Sequence, residues 1–282
     1  FKSFTMAMAL DSQKVTLNSQ FDATNPITVG RFTISDLHPE NRVLSVPEIF
    51  VHSSNIGTAK MALEIGTTTQ KAYLAKMGLL TPIASEIKEV GRPIVPKRWN
   101  DLETMTVSYG HGIAITPLHV AVASAALVNG GKLIKPTLLK REEGAVVPFA
   151  RVVSEQTSGQ MRDLLRMVVT EGTGGKADVA GYPVGGKTGT AEKAADGGYA
   201  EKRLLSSFMG VFPARKPLYV VLIVLDEPKG NESTAGFATA GWTAAPTAGK
   251  VIARIAPMLN VAVSPTEPQH PPTTMASYED LH

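Results

Sequence analysis

The chain has 282 residues, with 28 Lys and Arg against 25 Asp and Glu, and it contains no cysteine. An apolar fraction of 43% with 19% charged residues predicts a sizeable core and excludes disorder along the whole length. The absence of cysteine excludes disulfides, a thiol nucleophile and cysteine-based metal sites. A net charge of +3 is too dilute to predict a nucleic-acid surface.

The first elements are a helix and a strand-rich segment. Residues 1–10 have the pattern of a helix already in progress at Phe1, so we expect the chain to begin inside a larger protein. Residues 11–45 are polar and strand-like, with Gly30 and Pro39 as breakers. No run is long enough to cross a membrane, since even the apolar run Leu218–Leu225 is far shorter than the ~20 residues required.

Helical periodicity follows in the middle of the chain. Apolar residues recur at helical spacing from Asn55 until Gly66, and a second short helix is predicted over 67–77. Residues 79–104 contain three prolines and little periodicity, so they predict an extended surface loop. A long helix is predicted over Thr116–Val128, with a proline in its first turn.

The C-terminal part predicts a helix, a hairpin and a closing helix. A helix is expected from Ser154, as its N-cap, to about Thr170. The β-rich runs Ser206–Phe212 and Leu218–Leu225 are joined by a short link, which is typical of an antiparallel hairpin. Ala245–Leu259 predicts the closing helix. The proline-rich residues 263–282 predict a disordered tail.

Three short patterns stand out as chemistry. Lys2 starts the first helix, Ser53-Ser54-Asn55 is a Ser-x-Asn just before a helix, and Lys187-Thr188-Gly189-Thr190 precedes the hairpin. Taken singly, each has an ordinary structural interpretation: Lys2 as a solvated helix lysine, Ser53 as a helix N-cap, and Lys187 as a surface lysine in a turn. The order in which the three patterns occur along the chain argues against these interpretations.

In that order the patterns resemble the penicillin-recognising serine transpeptidases, and more narrowly the class B penicillin-binding proteins of the division-septum type. That family carries a Ser-x-x-Lys, a Ser-x-Asn and a Lys-Thr-Gly. The resemblance spans about residues 1–260. The flanks that also match are Phe1-Lys2-Ser3-Phe4-Thr5, Ser53-Ser54-Asn55-Ile56-Gly57, Tyr109-Gly110-His111-Gly112-Ile113 with Thr116-Pro117-Leu118, and Gly186-Lys187-Thr188-Gly189-Thr190-Ala191.

The resemblance implies a fold and a domain. We expect an α/β serine-transpeptidase/β-lactamase-like fold, an antiparallel sheet flanked by helices, with the N-terminal strands missing from this chain. Residues 1–262 would form the penicillin-binding transpeptidase domain without its N-terminal part. If Lys2 closes Ser-x-x-Lys, the nucleophilic serine lies two residues before Phe1. The internal Ser85-Glu86-Ile87-Lys88 stands in the wrong order and is interpreted as coincidence.

The resemblance also implies roles for the site residues. Lys2 would accept the serine proton, which requires a lowered pKa that a second cation such as Lys187 would favour. Ser53 would relay a proton to the leaving amine. Asn55 would hydrogen-bond Lys2 and a substrate carbonyl.

The third pattern would bind the substrate. Lys187, Thr188 and Thr190 would bind the terminal carboxylate of a D-alanyl-D-alanine stem peptide, and the backbone N–H of Thr190 would serve the oxyanion hole. Gly189 would remove a side chain so that the substrate can lie against the strand.

The implied activity is peptidoglycan D,D-transpeptidation through a serine acyl-enzyme, with no cofactor. Its partners would be peptidoglycan stem peptides, β-lactam antibiotics and division-complex membrane proteins, without nucleic acid. The location would be the periplasmic face of the bacterial inner membrane, through an upstream anchoring helix. The six scattered histidines predict no metal site.

Other functions remain open from the sequence. A D,D-carboxypeptidase, a β-lactamase or a non-catalytic β-lactam sensor would share the three patterns. If this chain is a fragment, its function as it stands would be only structural. A more distant alternative is a nucleotide hydrolase, because Gly181–Thr188 matches the phosphate-loop pattern Gly-x-x-x-x-Gly-Lys-Ser/Thr. Against it, Gly189 discourages the helix that should follow such a loop.

Overall fold

The computed structural model describes the backbone of residues 1–195 and 198–264, and the side chains of these residues except 194, 195 and 198–202. Two compact units are present: unit 1 comprises Phe1–Arg162, and unit 2 begins at Asp163. Helices and antiparallel strands occur in both units, which confirms the predicted α/β class. The predicted tail lies outside the described residues apart from its first two, and the domain boundary at 262 stays a prediction.

Unit 1 combines helices with short two-stranded ribbons. Its helices are α1 (Lys2–Asp11), α2 (Val46–Val51), α3 (Asn55–Ile65), α4 (Thr67–Lys76), α5 (Asp101–Ser108), α6 (Pro117–Val128) and the first half of α7 (Glu155–Thr170). Its antiparallel ribbons are β1 (Gln20–Asp22) with β4 (Val43–Ser45), β2 (Ile27–Val29) with β3 (Phe32–Ile34), and β5 (Lys132–Ile134) with β6 (Phe149–Arg151).

Helix α1 lies inside unit 1. Every residue from Ser3 to Leu10 is buried, so the helix has no polar outer face, as expected for a helix surrounded by protein. It packs against α3, α4, α5 and α6. A separate apolar cluster of unit 1 includes Leu44, Ile49 and Ile56. The position of Lys2 at the start of α1 is therefore fixed by the core of the unit.

Unit 2 is built on an antiparallel sheet of order β7-β8-β9 in the described residues. Its strands are β7 (Gly185–Ala195), β8 (Gly198–Phe212) and β9 (Tyr219–Asp226), and the helix α8 (Ala244–Met258) follows them. Helix α8 buries Ala244, Ala248 and Ile252 in one cluster with Phe208 and Phe212 of β8. The antiparallel pairing of β8 with β9 confirms the predicted hairpin, and α8 confirms the predicted closing helix.

Gly186 shows how tightly β7 meets its neighbour. A Cβ atom at this position would lie 2.3 Å from Cζ of Phe208 and 2.7 Å from the Met209 backbone oxygen. Only a residue without a side chain lets the strand approach the buried Phe208 ring this closely. The glycine before Lys187 is therefore required by packing.

One predicted loop is partly wrong. The segment 79–104 was expected to be extended, but helix α5 begins inside it at Asp101. The side chain of Asn100 accepts a hydrogen bond from Leu102 N, and Glu103 accepts one from Asn100 N. This capping box starts a helix in spite of the upstream prolines.

Candidate active site

Lys2 and Ser53 meet in unit 1 across 51 residues of sequence. Lys2 is the first residue of α1, and Ser53 lies in the turn between α2 and α3. Lys2 Nζ donates a hydrogen bond to Ser53 Oγ at 3.1 Å, in a partly buried environment. Two of the residues predicted to be catalytic are thus in contact, and the interpretation of Lys2 as an ordinary solvated lysine is wrong.

Burial changes the acidity of Lys2. Loss of hydration lowers the pKa of its ammonium group from 10.5 to about 8, and the negative charge of Asp36 opposes part of that shift. A lysine with this pKa has an appreciable neutral fraction near neutral pH and can accept a proton. The sequence analysis required a lowered pKa and expected a second cation such as Lys187 to favour it, whereas burial is the main cause of the shift.

Ser53 occupies a strained backbone conformation. Its φ of +61° lies in the left-handed region, which costs a residue with a side chain roughly 1–2 kcal/mol. The residues on either side are held by backbone hydrogen bonds, from His52 N to Glu48 O and from Ser54 N to Ile49 O. A conformation of this cost persists only where its surroundings enforce it, which is typical of functional sites.

The N-cap of α3 is Ser54 and not Ser53. Ser54 is buried, and its Oγ accepts a hydrogen bond from Gly57 N at 2.9 Å. The structural interpretation of Ser53 as the N-cap was therefore one residue out of place. Ser54 makes the cap, and the hydroxyl of Ser53 contacts Lys2.

Asp36 is a site residue that the sequence reasoning missed. Its Oδ1 accepts the backbone N–H groups of Asn55 and Ile56, the latter at 3.0 Å, and its Oδ2 accepts the hydroxyl of Ser54 at 2.7 Å. The first turn of α3 has no acidic residue of its own, so its N–H groups are open to an acceptor from another part of the chain. That signal was present in the sequence, although it does not identify Asp36.

Asn55 lies where it was predicted but makes a different contact. Its Nδ2 donates a hydrogen bond to the backbone oxygen of Ser35 at 2.8 Å. Within the residues that the structure describes, the expected hydrogen bond from Asn55 to Lys2 is not formed. Asn55 is only partly buried, so its side chain is still accessible.

Lys187 lies on a strand of unit 2. It is 6% exposed and stands opposite Met209 in the β7–β8 ladder. Its Nζ donates to the backbone oxygen of Thr188 at 3.3 Å. The interpretation of Lys187 as a surface lysine in a turn is wrong, because a buried ammonium group is costly to desolvate and is rarely kept without a role.

The side chains of Thr188 and Thr190 alternate with that of Lys187 along β7, but Lys187 Nζ still approaches Thr188 Oγ1 to 3.5 Å. The hydroxyl of Thr188 is 2.6 Å from that of Thr173. The hydroxyl of Thr190 accepts a hydrogen bond from Ala240 N at 3.0 Å, and Thr190 remains exposed. Both hydroxyls are thus oriented by neighbours within unit 2.

Gly189 has an internal packing reason. A Cβ atom there would lie 2.8 Å from Oγ of Ser207, which stands directly opposite on β8. That hydroxyl donates to the Gly189 backbone oxygen at 3.1 Å. The glycine makes room for Ser207, and its role in admitting a substrate stays a prediction.

Two other sequence patterns do not form the sites they resemble. Gly185–Thr188 belong to strand β7, so Gly181–Thr188 does not form a loop that leads into a helix, and the phosphate-loop interpretation is wrong. Ser85 and Lys88 lie outside helices, and Ser85 Oγ donates to the backbone oxygen of Ile87. That serine lacks the helical geometry of a Ser-x-x-Lys pair.

Comparison with known proteins agrees with this geometry. The protein-family model described as the penicillin binding protein transpeptidase domain matches residues 1–249 of the chain. The chain belongs to this family. The match confirms the resemblance to the division-type class B penicillin-binding proteins that the three patterns predicted, and it confirms the fold.

Individual relatives define how much of the family protein is present. The chain is 46% identical over 270 residues to the probable peptidoglycan D,D-transpeptidase FtsI of Caulobacter vibrioides, covering 93% of this chain and 46% of the relative. It is 34% identical over 275 residues to the stage V sporulation protein D of Bacillus subtilis, covering 93% and 42%. The chain thus spans less than half the length of these relatives.

Solved penicillin-binding proteins share the architecture. The transpeptidase domain of penicillin-binding protein 3 from Burkholderia pseudomallei matches with a TM-score of 0.86 and 30% identity, covering 94% of this chain and 79% of that domain. Penicillin-binding protein 3 from Mycobacterium tuberculosis, complexed with aztreonam, matches with a TM-score of 0.82 and 26% identity, covering 94% of this chain and 63% of that chain.

Among the described residues, no helix combines the length and the hydrophobicity needed to span a bilayer.

Proposed function

We propose that the protein containing this chain is a peptidoglycan D,D-transpeptidase that works through a serine acyl-enzyme and is acylated by β-lactams. The observation that carries the proposal is the contact between Lys2 Nζ and Ser53 Oγ, in a chain of the penicillin-binding transpeptidase family. The relatives whose names include D,D-transpeptidase support the reaction class.

The proposed reaction has two steps. In the first, a serine oxygen attacks the carbonyl of the penultimate D-alanine, the serine–acyl ester forms, and the C–N bond to the terminal D-alanine breaks. In the second, the amine of another stem peptide attacks the ester, a new amide forms, and the serine oxygen is released. Each step transfers one proton from the nucleophile toward the leaving group, so a base and a relay are needed. The serine is expected three positions before Lys2.

Lys2 and Ser53 are suited to this proton transfer. The neutral amine of Lys2 can accept the proton of the attacking serine, because its pKa of about 8 lies near the working pH. Ser53 Oγ accepts the hydrogen bond from Lys2 and still carries a proton of its own. It can therefore pass a proton to the leaving amine and recover one from Lys2.

The remaining residues would bind the substrate. We assign Lys187, Thr188 and Thr190 to the terminal carboxylate, because an ammonium group and hydroxyl donors are the groups that bind an anion strongly. The backbone N–H of Thr190 is assigned to the oxyanion hole, and Asn55 to a substrate carbonyl. Gly189 would keep this part of β7 free of a side chain.

The location proposed for the full protein is the periplasmic face of the inner membrane, with division-complex membrane proteins as partners.

Adduct mapping tests the reaction. The full-length protein is incubated with benzylpenicillin, digested with trypsin and analysed by mass spectrometry. The expected penicilloyl adduct lies on the peptide that ends at Lys2, on the serine three positions before it. An adduct on Ser53 or Ser85, or no adduct at a high penicillin concentration, would contradict the assignment.

A partition experiment separates transpeptidase from hydrolase. The full-length protein receives a D-alanyl-D-alanine stem peptide with and without a second stem peptide that carries a free amine. A cross-linked product that increases with the amine concentration is expected. Release of the hydrolysed acid alone, at every amine concentration, would favour a D,D-carboxypeptidase.

Fractionation of cells that express the tagged full-length protein, with protease access from the periplasm, tests the proposed location.

A further inference from the structure

Asp36 connects the segment after strand β3 to the start of helix α3. Its carboxylate accepts two backbone N–H groups and one hydroxyl from three consecutive residues, Ser54, Asn55 and Ile56. We propose that Asp36 is a positioning residue that holds the Ser-x-Asn turn in the conformation in which Ser53 meets Lys2. This inference rests on the proposed function for its catalytic consequence and on the hydrogen bonds for its structural one.

The carboxylate meets a need that α3 cannot meet itself. The first N–H groups of a helix have no partner inside the helix, and the aligned peptide dipoles make that end positive. Ser54 Oγ accepts the N–H of Gly57, while Asp36 accepts those of Asn55 and Ile56. An anion therefore completes the helix start, and each of its two oxygens is used.

The same carboxylate fixes the orientation of the Ser54 hydroxyl. Ser54 Oγ donates its proton to Asp36 Oδ2 at 2.7 Å, so a lone pair is directed at Gly57 N. A carboxamide at position 36 can still accept the two N–H groups through its oxygen, but its NH2 end would donate to Ser54 Oγ, so the hydroxyl proton of Ser54 would lose its acceptor. It would also remove the negative charge that faces the positive end of α3.

The adjacent residue orients the other end of the turn. The backbone oxygen of Ser35 accepts the Asn55 side chain at 2.8 Å, and Ile34 is paired with Ile27 in the β2–β3 ribbon. Residues 35 and 36 thus hold both the backbone and the side chain of Asn55, and they are anchored to a hydrogen-bonded ribbon. The neighbouring Ser53 keeps its φ of +61° immediately before this anchored segment.

The predicted consequence is a loss of acylation rate that acts through Ser53. Asp36→Asn leaves the substrate-binding residues of β7 unchanged, so β-lactam affinity before acylation should stay within about twofold. Because loss of the Asp36 charge also lowers the pKa of Lys2, the rate constants are compared at pH 9.5, where the Lys2 amine is mostly neutral in both proteins. There the acylation rate constant should fall by about 10- to 100-fold, the range expected when a charged group's hydrogen bonds are lost. Asp36→Glu keeps the charge and both acceptors, and should lose less.

A mutant cycle on the full-length protein tests whether Asp36 acts through Ser53. The acylation rate constants of wild type, Asp36→Asn, Ser53→Ala and the double variant are measured by stopped-flow with a fluorescent penicillin. We expect the Asp36→Asn loss to shrink to under threefold in the Ser53→Ala background. The matched control is Asp22→Asn, whose carboxylate accepts the backbone N–H of Thr24 on the exposed surface of the same unit, and which should acylate like wild type. Equal losses in both backgrounds would overturn the positioning role.

Amide hydrogen exchange tests the structural part independently of activity. In the full-length protein, the N–H groups of Asn55 and Ile56 should exchange at least tenfold faster in Asp36→Asn than in wild type, with Asp22→Asn unchanged. Unchanged exchange at both amides would overturn the inference even if the protein is an active transpeptidase. If the two amides exchange faster in Asp36→Asn but the wild-type protein forms no penicilloyl adduct, only the proposed function would be refuted.

Discussion

The Ser-x-Asn turn of unit 1 and the Lys-Thr-Gly strand of unit 2 are held in place by different forces. Ser53 and Asn55 stand at a helix start whose conformation depends on polar groups, the carboxylate of Asp36 and the hydroxyl of Ser54. Lys187–Thr190 stand inside a continuous β-ladder that packs on Phe208. The turn should therefore be sensitive to the loss of one polar atom, and the strand to the addition of one methyl group.

Lys2→Arg should give the largest effect on activity. Arginine keeps the positive charge but does not lose its proton in proteins, so it cannot act as the base. The acylation rate constant of the full-length protein should fall by about 100-fold or more, the contribution typical of general-base catalysis. Lys76→Arg, an exposed lysine over the Tyr73 ring, is the matched control and should be unchanged. Near-normal acylation in Lys2→Arg would remove Lys2 from the mechanism.

Gly186→Ala should give the largest effect on stability. The new Cβ atom would lie 2.3 Å from the Phe208 ring, so the strand or the ring must move. Overpacking of this kind costs about 1–3 kcal/mol of unfolding free energy.

Urea denaturation of Gly186→Ala measures this loss. Gly159→Ala is the control: Arg162 NH2 is the nearest atom to its Cβ at 3.7 Å, and alanine inside α7 should raise the unfolding free energy by about 0.5–1 kcal/mol. A Gly186→Ala variant as stable as wild type would show that β7 can accommodate an added methyl group, and it would contradict the proposed difference between the strand and the turn.

Ser54→Ala should have an intermediate effect. It removes the N-cap of α3 and the hydroxyl donor to Asp36, so we expect a loss of about 1–2 kcal/mol in unfolding free energy. Because Ser53 is the preceding residue, acylation should also slow by several-fold. Ser85→Ala, which removes an exposed hydroxyl, should change neither quantity. A stability loss in Ser54→Ala without any change in acylation would separate the cap from the catalytic turn.

Ser207→Ala should have the smallest effect. The hydroxyl donates one hydrogen bond to the Gly189 backbone oxygen, and a single neutral hydrogen bond contributes on the order of 0.5–1.5 kcal/mol. Acylation should stay within twofold, since the β-ladder still holds β7. A large drop in acylation would mean that polar side chains position the strand as they do the turn.

Elements with strong local signals were predictable. Helix α6 has its proline in the first turn and two glycines after its end, and α3 ends at Gly66. Helix α5 was not predicted, because the three prolines before it and the weak periodicity favour a loop, although Asn100 with Glu103 forms a capping box. The N-cap of α3 was placed one residue early because two serines stand side by side.

The site was predictable only where motifs carry it. Lys2, Ser53 and Lys187 follow from three patterns whose order is specific to one family. The role of Asp36 depends on bringing together residues 18–20 positions apart, which no local periodicity encodes. The packing reason for Gly189 depends in the same way on Ser207 across the ladder.

The pH dependence of acylation tests most directly whether Lys2 is the base. Below its pKa of about 8 the Lys2 amine is protonated and cannot accept the serine proton; above it, the amine is neutral. The acylation rate constant of the full-length protein should therefore rise about tenfold per pH unit between pH 6 and 7.5, and level off above pH 8.5. A rate constant that stays flat from pH 6 to 9.5, in a protein that remains folded throughout, would contradict the assignment of Lys2.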